Sequence, residues 1–312
     1  MKNLALLFML FAVSGCTKAQ NIEITQKPIN HSFQDVWDVV ISDPYDKLPQ
    51  DKVSFFKLFS WGKDIILNDS KRTLQNHKDI LEPFDKLAHP NGICFQGIWK
   101  IDKANRYSGY FKQGSEALII ARASSALSNT KSGNLRAFGF AGKLFSTINP
   151  TKINQENSAN FFLIDDLGGT DAKHFTDTSL TNEPKVSVTS AVIKNLLYAL
   201  KVARSFSKSD KNATIRQVYE ISYLGETNTK NIITPKWMKV EAKKTQSVDK
   251  EDFRDELQIE KNSKLVFDIS VSSVKDEWKT IGTITFDKSI VSHSCDHRLH
   301  FHHPRWRDDL NY

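Results

Sequence analysis

Residues 89–101 of this chain read HPNGICFQGIWKI, and this stretch decides the fold class. Its apolar and aromatic residues from 93 to 101 predict a β-strand, whereas the residues before it follow a helical pattern. Four later segments show the same strand pattern: 107–111, 117–124, 138–145 and 160–164. Several of these strands are apolar on both faces, which is typical of a sheet that is covered by other structure or closed into a barrel.

Helical periodicity flanks these strands. Trp37, Val40 and Ile41 fall on one face of a predicted helix, and another helix ends just before His89. A further helix is predicted over 190–207, and strands return at 215–224, 237–242, 264–271 and 279–286. We therefore expect an α+β fold in which an antiparallel β-barrel carries flanking helices. Residues 31–312 would form one domain, with a helical segment over 31–88 and the barrel with its helices over 89–312.

The N-terminus predicts export and lipid attachment. Lys2 precedes a short apolar run, and small residues lead directly to Cys16. This pattern is typical of a bacterial lipoprotein signal over residues 1–15, with Cys16 as the lipidated residue and 16–30 as a polar tether. An ordinary secretory signal with an incidental cysteine is the alternative. Because Thr17 follows Cys16, we expect the periplasmic face of the outer membrane, with the lipid as the only membrane attachment.

Composition limits the possible functions. The chain is 39% hydrophobic and 11% aromatic, which is enough for a sizeable core. Its formal net charge is +7, but the lysines are scattered rather than gathered in one stripe, so a nucleic-acid partner is not expected. The composition does not indicate an oligomeric state.

Two groups of side chains leave alternatives open. Cys94 and Cys295 are the cysteines beyond Cys16, and they either form a disulfide or remain buried thiols. Metal-capable residues also gather near the C-terminus: His293, Cys295, His297, His300, His302 and His303. On an extended strand, Cys295 and His297 would share a face, but the spacing matches no structural zinc motif. A surface histidine cluster without a dedicated metal is therefore favoured.

Arg122 and Ser124 are the first candidate site residues. Because they lie two apart in a predicted strand, they should point to one face, with Ala121 and Ala123 on the other. A buried arginine requires a polar partner. A salt bridge to one of the 36 carboxylates of the chain would satisfy it and leave Ser124 solvated.

Together with two other residues, Arg122 and Ser124 resemble the distal heme pocket of the catalase family. The four residues, in order, are His89, Arg122, Ser124 and Asn157. The glycines of His89-x-x-Gly92-x-x-x-x-Gly97 recur where catalases have them after their distal histidine. The resemblance covers residues 89–167 well and 236–307 more loosely.

The resemblance to this family implies a catalase-like barrel, a heme cofactor and hydrogen peroxide as the substrate. Arg122 would bind a heme propionate, and Ser124 would hydrogen-bond one ring nitrogen of His89. His89 would act as the general base on peroxide, and Asn157 would hold the peroxide in line with the iron.

The proximal side departs from the catalase pattern. Catalases ligate iron with a tyrosinate from a late Arg-x-x-x-Tyr segment, whereas here Arg307 precedes Tyr312 by five positions. Tyr312 is the weak candidate for the ligand. Two functions remain open: a lipid-anchored, heme-binding enzyme that decomposes peroxide, or a degenerate catalase-fold lipoprotein that binds a ligand or partner without turnover.

Overall fold

The computed structural model describes residues 31–48, 89–125, 138–146, 159–164, 219–223, 228–229, 232–233, 235, 237–243, 252–274, 277–299 and 301. The predicted signal peptide, the tether, the helix over 190–207 and the helix before His89 lie outside these ranges.

The described chain is mostly sheet. The strands are β1 (Asn91–Ile101), β2 (Glu116–Ser125), β3 (Phe138–Ser146), β4 (Ala159–Ile164), β5 (Tyr219–Tyr223), β6 (Asn228–Thr229), β7 (Ile232–Ile233), β8 (Trp237–Ala242), β9 (Leu265–Ser272) and β10 (Lys279–Ile290). The helices in the same ranges are short: α1 (Phe33–Ile41), α2 (Phe253–Glu256) and α3 (His293–His297). The predicted α+β class is therefore only loosely supported by this part of the chain.

Eight strands form one antiparallel sheet in the order β4-β3-β2-β1-β10-β9-β8-β5, and β6 pairs with β7. The antiparallel sheet is as predicted. The sheet curls so far that its two end strands, β4 and β5, approach each other. The longest of these strands, β10, pairs with β1 near the middle of the sheet. His89 lies just before β1 and helix α3 lies just after β10, so the pairing of the two strands brings His89 and α3 close together.

The two faces of the sheet are covered differently. Residues 93, 95, 99 and 101 of β1 and residues 117, 119, 121 and 123 of β2 point into the concave side, where the main core is built largely from aromatic and β-branched residues. The alternate residues form what we call the outer face, and helices α1 and α3 pack on part of it. This division follows from the two-residue period of a strand.

Two local predictions were wrong. Residues 107–111 are not a strand, because Gly109 adopts φ 58° and a 3-10 turn over Gly109–Phe111 follows. Ile41 lies away from the apolar face of α1 and is 40% exposed. The histidine-rich segment begins as helix α3, since Ser292 caps it by accepting a hydrogen bond from the Cys295 amide. Cys295 and His297 therefore do not share the face that a strand would give them.

The close approach of β1 and β10 explains one of the glycines noted in the sequence. A Cβ atom on Gly97 would lie 2.2 Å from the Thr285 carbonyl oxygen and 2.9 Å from the Phe286 Cα. Both neighbours are backbone atoms, which cannot move without shifting the strand. Gly97 is thus required by the packing of the sheet.

Of the helices in the described ranges, none combines the length and the apolar character needed to cross a bilayer.

Candidate functional site

The candidate site lies where α1 and α3 cover the outer face at the start of β1 and the end of β2. A second apolar cluster joins these elements: Phe33, Val36, Trp37, Val40, Cys94, Ile120, Phe145, Cys295 and Leu299. Arg122 and Ser124 continue the same face of β2, while Ala121 and Ala123 belong to the main core on the concave side. The predicted shared face of Arg122 and Ser124 is therefore confirmed.

A disulfide fastens α3 to the sheet. Cys94 in β1 is bonded to Cys295 in α3 across a sequence separation of 201 residues. Both cysteines are fully buried. Of the two alternatives that the sequence left open, the structure has the disulfide.

Arg122 is buried and makes three hydrogen bonds at the centre of the site. Nη1 donates to the His89 carbonyl oxygen at 2.8 Å, and Nη2 donates to the Pro90 carbonyl oxygen at 3.0 Å. Nη2 also donates to Asp296 Oδ1 at 2.6 Å, in an ion pair whose side chains are 4% and 1% exposed. The sequence left two possible partners for Arg122, a heme propionate or a carboxylate of the chain itself. In the structure the partner is a carboxylate of the chain, Asp296.

Gly92 makes room for this arginine. A Cβ atom on Gly92 would lie 2.7 Å from both Cζ and Nε of Arg122 and 2.7 Å from the Ala123 carbonyl oxygen. The guanidinium therefore lies directly on the backbone of β1. Gly92, three residues after His89, leaves the space that the Arg122 side chain occupies.

His89 has an unusual backbone conformation. Its φ is +59°, in the left-handed region that non-glycine residues adopt at a cost of about 1–3 kcal/mol. The two hydrogen bonds from Arg122 hold the carbonyl groups of His89 and of Pro90, which follows it. These contacts stabilise the turn that leads into β1.

The imidazole of His89 is directed to Ser124. Ser124 Oγ and His89 Nδ1 share a hydrogen bond of 3.1 Å, so the contact predicted between them is present. Burial lowers the pKa of His89 to about 3; the positive charge of Arg122 acts in the same direction, and a hydrogen bond with Ser124 opposes it. His89 is therefore neutral at physiological pH.

This pKa predicts an acid-sensitive fold. The unfolded chain has a histidine pKa of about 6.5, so between about pH 6.5 and pH 3 the unfolded state binds a proton that the folded state excludes. Stability is full above this window and falls as the pH falls through it. We expect the wild type to lose up to about 2 kcal/mol more than His89→Gln between about pH 6.5 and 4.5, measured by urea unfolding. Equal losses in the two proteins would contradict the assignment.

Asp296 is held from both sides. Its Oδ2 accepts a hydrogen bond of 3.2 Å from the Tyr45 hydroxyl. Burial raises the pKa of Tyr45, and the Asp296 carboxylate raises it further, so the phenol stays protonated. The segment around Tyr45 also anchors α3, because Asp43 Oδ1 accepts from the Ser294 amide at 2.8 Å and the Asp43 carbonyl oxygen accepts from the His293 amide at 3.0 Å.

The geometry of Arg122 does not fit a heme propionate. A guanidinium binds a carboxylate bidentately through Nη1 and Nη2 or through Nε and Nη2, so both modes use Nη2. Both hydrogens of Nη2 are already directed to acceptors, on Pro90 and Asp296. The Asp296 carboxylate also neutralises the charge that would attract an anion. A bidentate propionate would have to displace Asp296 from Nη2, and the buried Asp296 carboxylate would then lose its guanidinium counter-charge.

The histidine cluster does not form a metal site in the described part of the chain. Cys295 is in the disulfide, and His293 and His297 lie one turn apart on α3 with their ring centroids 6.4 Å apart. Within the described residues, no three histidine, cysteine or acidic side chains are arranged to hold a metal ion. His300, His302 and His303 lie outside those residues.

The structure thus brings together His89, Arg122 and Ser124 of the predicted site. Asn157, Tyr312 and Cys16 lie outside the described residues, and their predicted roles stay predictions. Two residues of the site, Asp296 and Tyr45, were not predicted. A buried arginine indicates that some carboxylate is near, but neither Asp296 nor Tyr45 carries a local pattern that identifies it.

Comparison with known proteins does not assign a family. No family model matches the chain, and no curated protein matches its sequence. Among solved structures, a bacterial catalase is similar at 14% identity with a TM-score of 0.39, over 87% of this chain and 61% of the catalase chain. A fungal catalase is similar at 12% identity with a TM-score of 0.37, over the same shares of the two chains. The chain therefore spans 61% of the length of each catalase, and this degree of similarity does not show membership of the catalase family.

Proposed function

We propose that this chain is a lipid-anchored protein of the bacterial cell envelope that uses its curled sheet as a binding or structural scaffold, without peroxide turnover on heme. The observation that carries the proposal is the buried ion pair of Arg122 and Asp296. The residue that would bind a propionate in a catalase-like pocket has its charge neutralised and both hydrogens of Nη2 in use. Arg122 therefore serves to connect segments of its own chain, namely the His89–Pro90 turn and helix α3.

Two features support the location in the envelope. The residues before Cys16 follow the lipoprotein signal pattern, with small side chains at the cleavage position. The Cys94–Cys295 disulfide belongs to an oxidising compartment, because reduced thiol pools keep such bonds rare in the cytosol. Lipid on Cys16 would tether the folded domain to the membrane surface through residues 16–30.

A second function is favoured by a different observation, the hydrogen bond between Ser124 and the neutral His89. A neutral imidazole with Nδ1 engaged is the state in which a distal histidine can accept a proton from peroxide. This function is heme-dependent decomposition of hydrogen peroxide, with Asn157 as the residue that orients peroxide and Tyr312 as the weak candidate for the iron ligand. It requires Arg122 to exchange Asp296 for a propionate.

Hemin titration distinguishes the two functions. We expect the oxidised full chain to show no stoichiometric Soret band, because a propionate must compete with a carboxylate that is already 2.6 Å from Arg122. His89→Ala should then give the same titration as the wild type. A stoichiometric Soret band that changes in His89→Ala would contradict the scaffold function and support the second one. Oxygen release from peroxide would then separate turnover from heme binding alone.

A further inference from the structure

Contacts in series connect the disulfide to His89. Cys295 is bonded to β1, and the next residue, Asp296, is paired with Arg122. Arg122 holds the carbonyl groups of His89 and Pro90. Each link lies within hydrogen-bonding or covalent distance, so a displacement of α3 moves the partner of Arg122.

We propose that the disulfide-tethered helix α3 assembles the His89 site, with Asp296 as a positioning residue that acts on His89 through Arg122. Oxidation of Cys94 and Cys295 thereby completes the site as the protein matures. This assembly of the site does not depend on whether the protein binds heme.

Helix α3 cannot hold this position by itself. It has five residues, far fewer than an isolated helix needs for stability in water. Its other anchors come from residues 40–43, early in the chain: Asp43 Oδ1 accepts from the Ser294 amide, and Ser292 Oγ donates to the Val40 carbonyl oxygen. The disulfide adds a cross-link from the middle of α3 to β1, beside the main-chain connection that joins the start of α3 to β10 of the same sheet.

Asp296 is needed because of the environment of Arg122. A buried guanidinium without a counter-charge costs several kcal/mol, and the chain would move Arg122 toward solvent to avoid this cost. Arg122 would then release the two carbonyl groups that it holds at the left-handed turn of His89. Without these bonds the turn relaxes, and the imidazole leaves Ser124.

Burial of the cysteines places the oxidation during folding. Both are inaccessible in the folded protein, so an oxidant reaches them only before α3 docks. The two thiols of Cys94 and Cys295 lose two protons and two electrons as the new S–S bond forms. A disulfide of an oxidising partner protein accepts them and becomes a dithiol. This step belongs to the same compartment as the proposed lipid anchor.

The test measures how fast diethyl pyrocarbonate modifies the His89 imidazole, resolved from the other histidines by mass spectrometry of peptides. The oxidised full chain is compared with Cys94→Ala/Cys295→Ala and with Asp296→Ala, at a pH near 7.5 where imidazole is mostly neutral. We expect His89 to react on the order of ten-fold faster in both variants, because local opening exposes the ring. His31, which lies just before the N-cap of α1, provides the internal reference, and Lys100→Ala, which removes an exposed ion pair, is the matched control.

A loosening of the whole fold would raise the rates at His31 and His89 together, whereas the proposal requires a rise at His89 relative to His31. If the double cysteine variant is unfolded in buffer, the comparison is made with added trimethylamine N-oxide, which favours the compact state. His89 reactivity equal to that of the wild type in either folded variant overturns the proposal. Parallel rises at His31 and His89 overturn it as well.

Discussion

Replacing Cys94 and Cys295 with alanine is expected to lower the free energy of unfolding by about 5 kcal/mol. The disulfide closes a loop of 201 residues, and the loss of chain entropy on closing a loop this long corresponds to about 5 kcal/mol at room temperature. Strain and residual structure in the unfolded chain reduce such values, so 3 kcal/mol is about the smallest loss consistent with this account. Alanine is chosen because both positions are fully buried, where a serine hydroxyl would require a hydrogen-bond partner.

The measurement is urea unfolding of the oxidised wild type and of the double variant. Wild type that is unfolded, reduced and refolded in the presence of reductant is the control, because it lacks the cross-link but keeps both side chains. The reduced wild type and the variant should have similar midpoints, well below that of the oxidised protein. If the oxidised protein and the variant unfold at the same urea concentration, the disulfide does not stabilise the fold.

Replacing Asp296 with alanine is expected to cost about 3–5 kcal/mol. The substitution removes the counter-charge of the buried Arg122 guanidinium, which then stays buried unpaired or moves toward solvent and gives up its bonds to the His89 and Pro90 carbonyl groups; breaking a buried ion pair has a cost of this size. The hydroxyl of Tyr45 loses its acceptor at the same time. A carboxylate at the protein surface would be worth far less, because water screens it.

Lys100→Ala is the matched control for this prediction. It breaks an ion pair with Glu116 whose N–O distance is 3.8 Å and whose side chains are 60% and 47% exposed. A pair of this kind contributes no more than about 1 kcal/mol. Similar losses in Asp296→Ala and Lys100→Ala would show that the Arg122–Asp296 pair is not energetically special.

A double variant separates the charge from the packing. When Arg122→Met is added to Asp296→Ala, the unpaired buried charge is removed, and part of the lost stability should return. The recovery will be incomplete, because methionine cannot donate to the carbonyl groups of His89 and Pro90. The portion that does not return includes the loss of those two hydrogen bonds and the loss of Asp296 as the acceptor of the Tyr45 hydroxyl. Strict additivity of the two substitutions would contradict a coupled pair.

The same contacts that stabilise the domain also occupy Arg122, so stability and cofactor binding compete for one guanidinium. Hemin uptake that increased in folded Asp296→Ala would be direct evidence of that competition. The scaffold function and the heme-dependent function therefore differ in which carboxylate Arg122 holds.

Local sequence patterns predicted most of the described sheet. Strand β8 has the predicted bounds, and β1 to β4 begin and end within two residues of those expected. The helical pattern around Trp37 was found, as was the shared face of Arg122 and Ser124. These features depend on the period of side-chain direction, which is two in a strand and 3.6 in a helix, and which can be read over a few residues.

One strand prediction was wrong, and one short helix was not predicted. Tyr110 and Phe111 have the composition of a strand, but the left-handed Gly109 between Ser108 and Tyr110 turns the chain and sends both aromatic rings into the core. Helix α3 is too short for its helical period to be recognised, although Ser292 caps it by accepting a hydrogen bond from the Cys295 amide. Composition alone could not reveal either feature.

The sequence by itself determined the strands of the sheet and the face that carries Arg122 and Ser124, whereas the contact of Ser124 with His89 was only implied by the resemblance to catalases. Only the tertiary structure decided that Cys94 is bonded to Cys295 and that Arg122 is paired with Asp296, which lies 174 residues away. The physical reason is that side-chain direction along a strand is set by neighbouring residues, whereas the partner of a buried charge is set by which distant segment the fold brings to it. Any of the 36 carboxylates could have satisfied Arg122 as far as the sequence shows, and the docking of α3 selected Asp296.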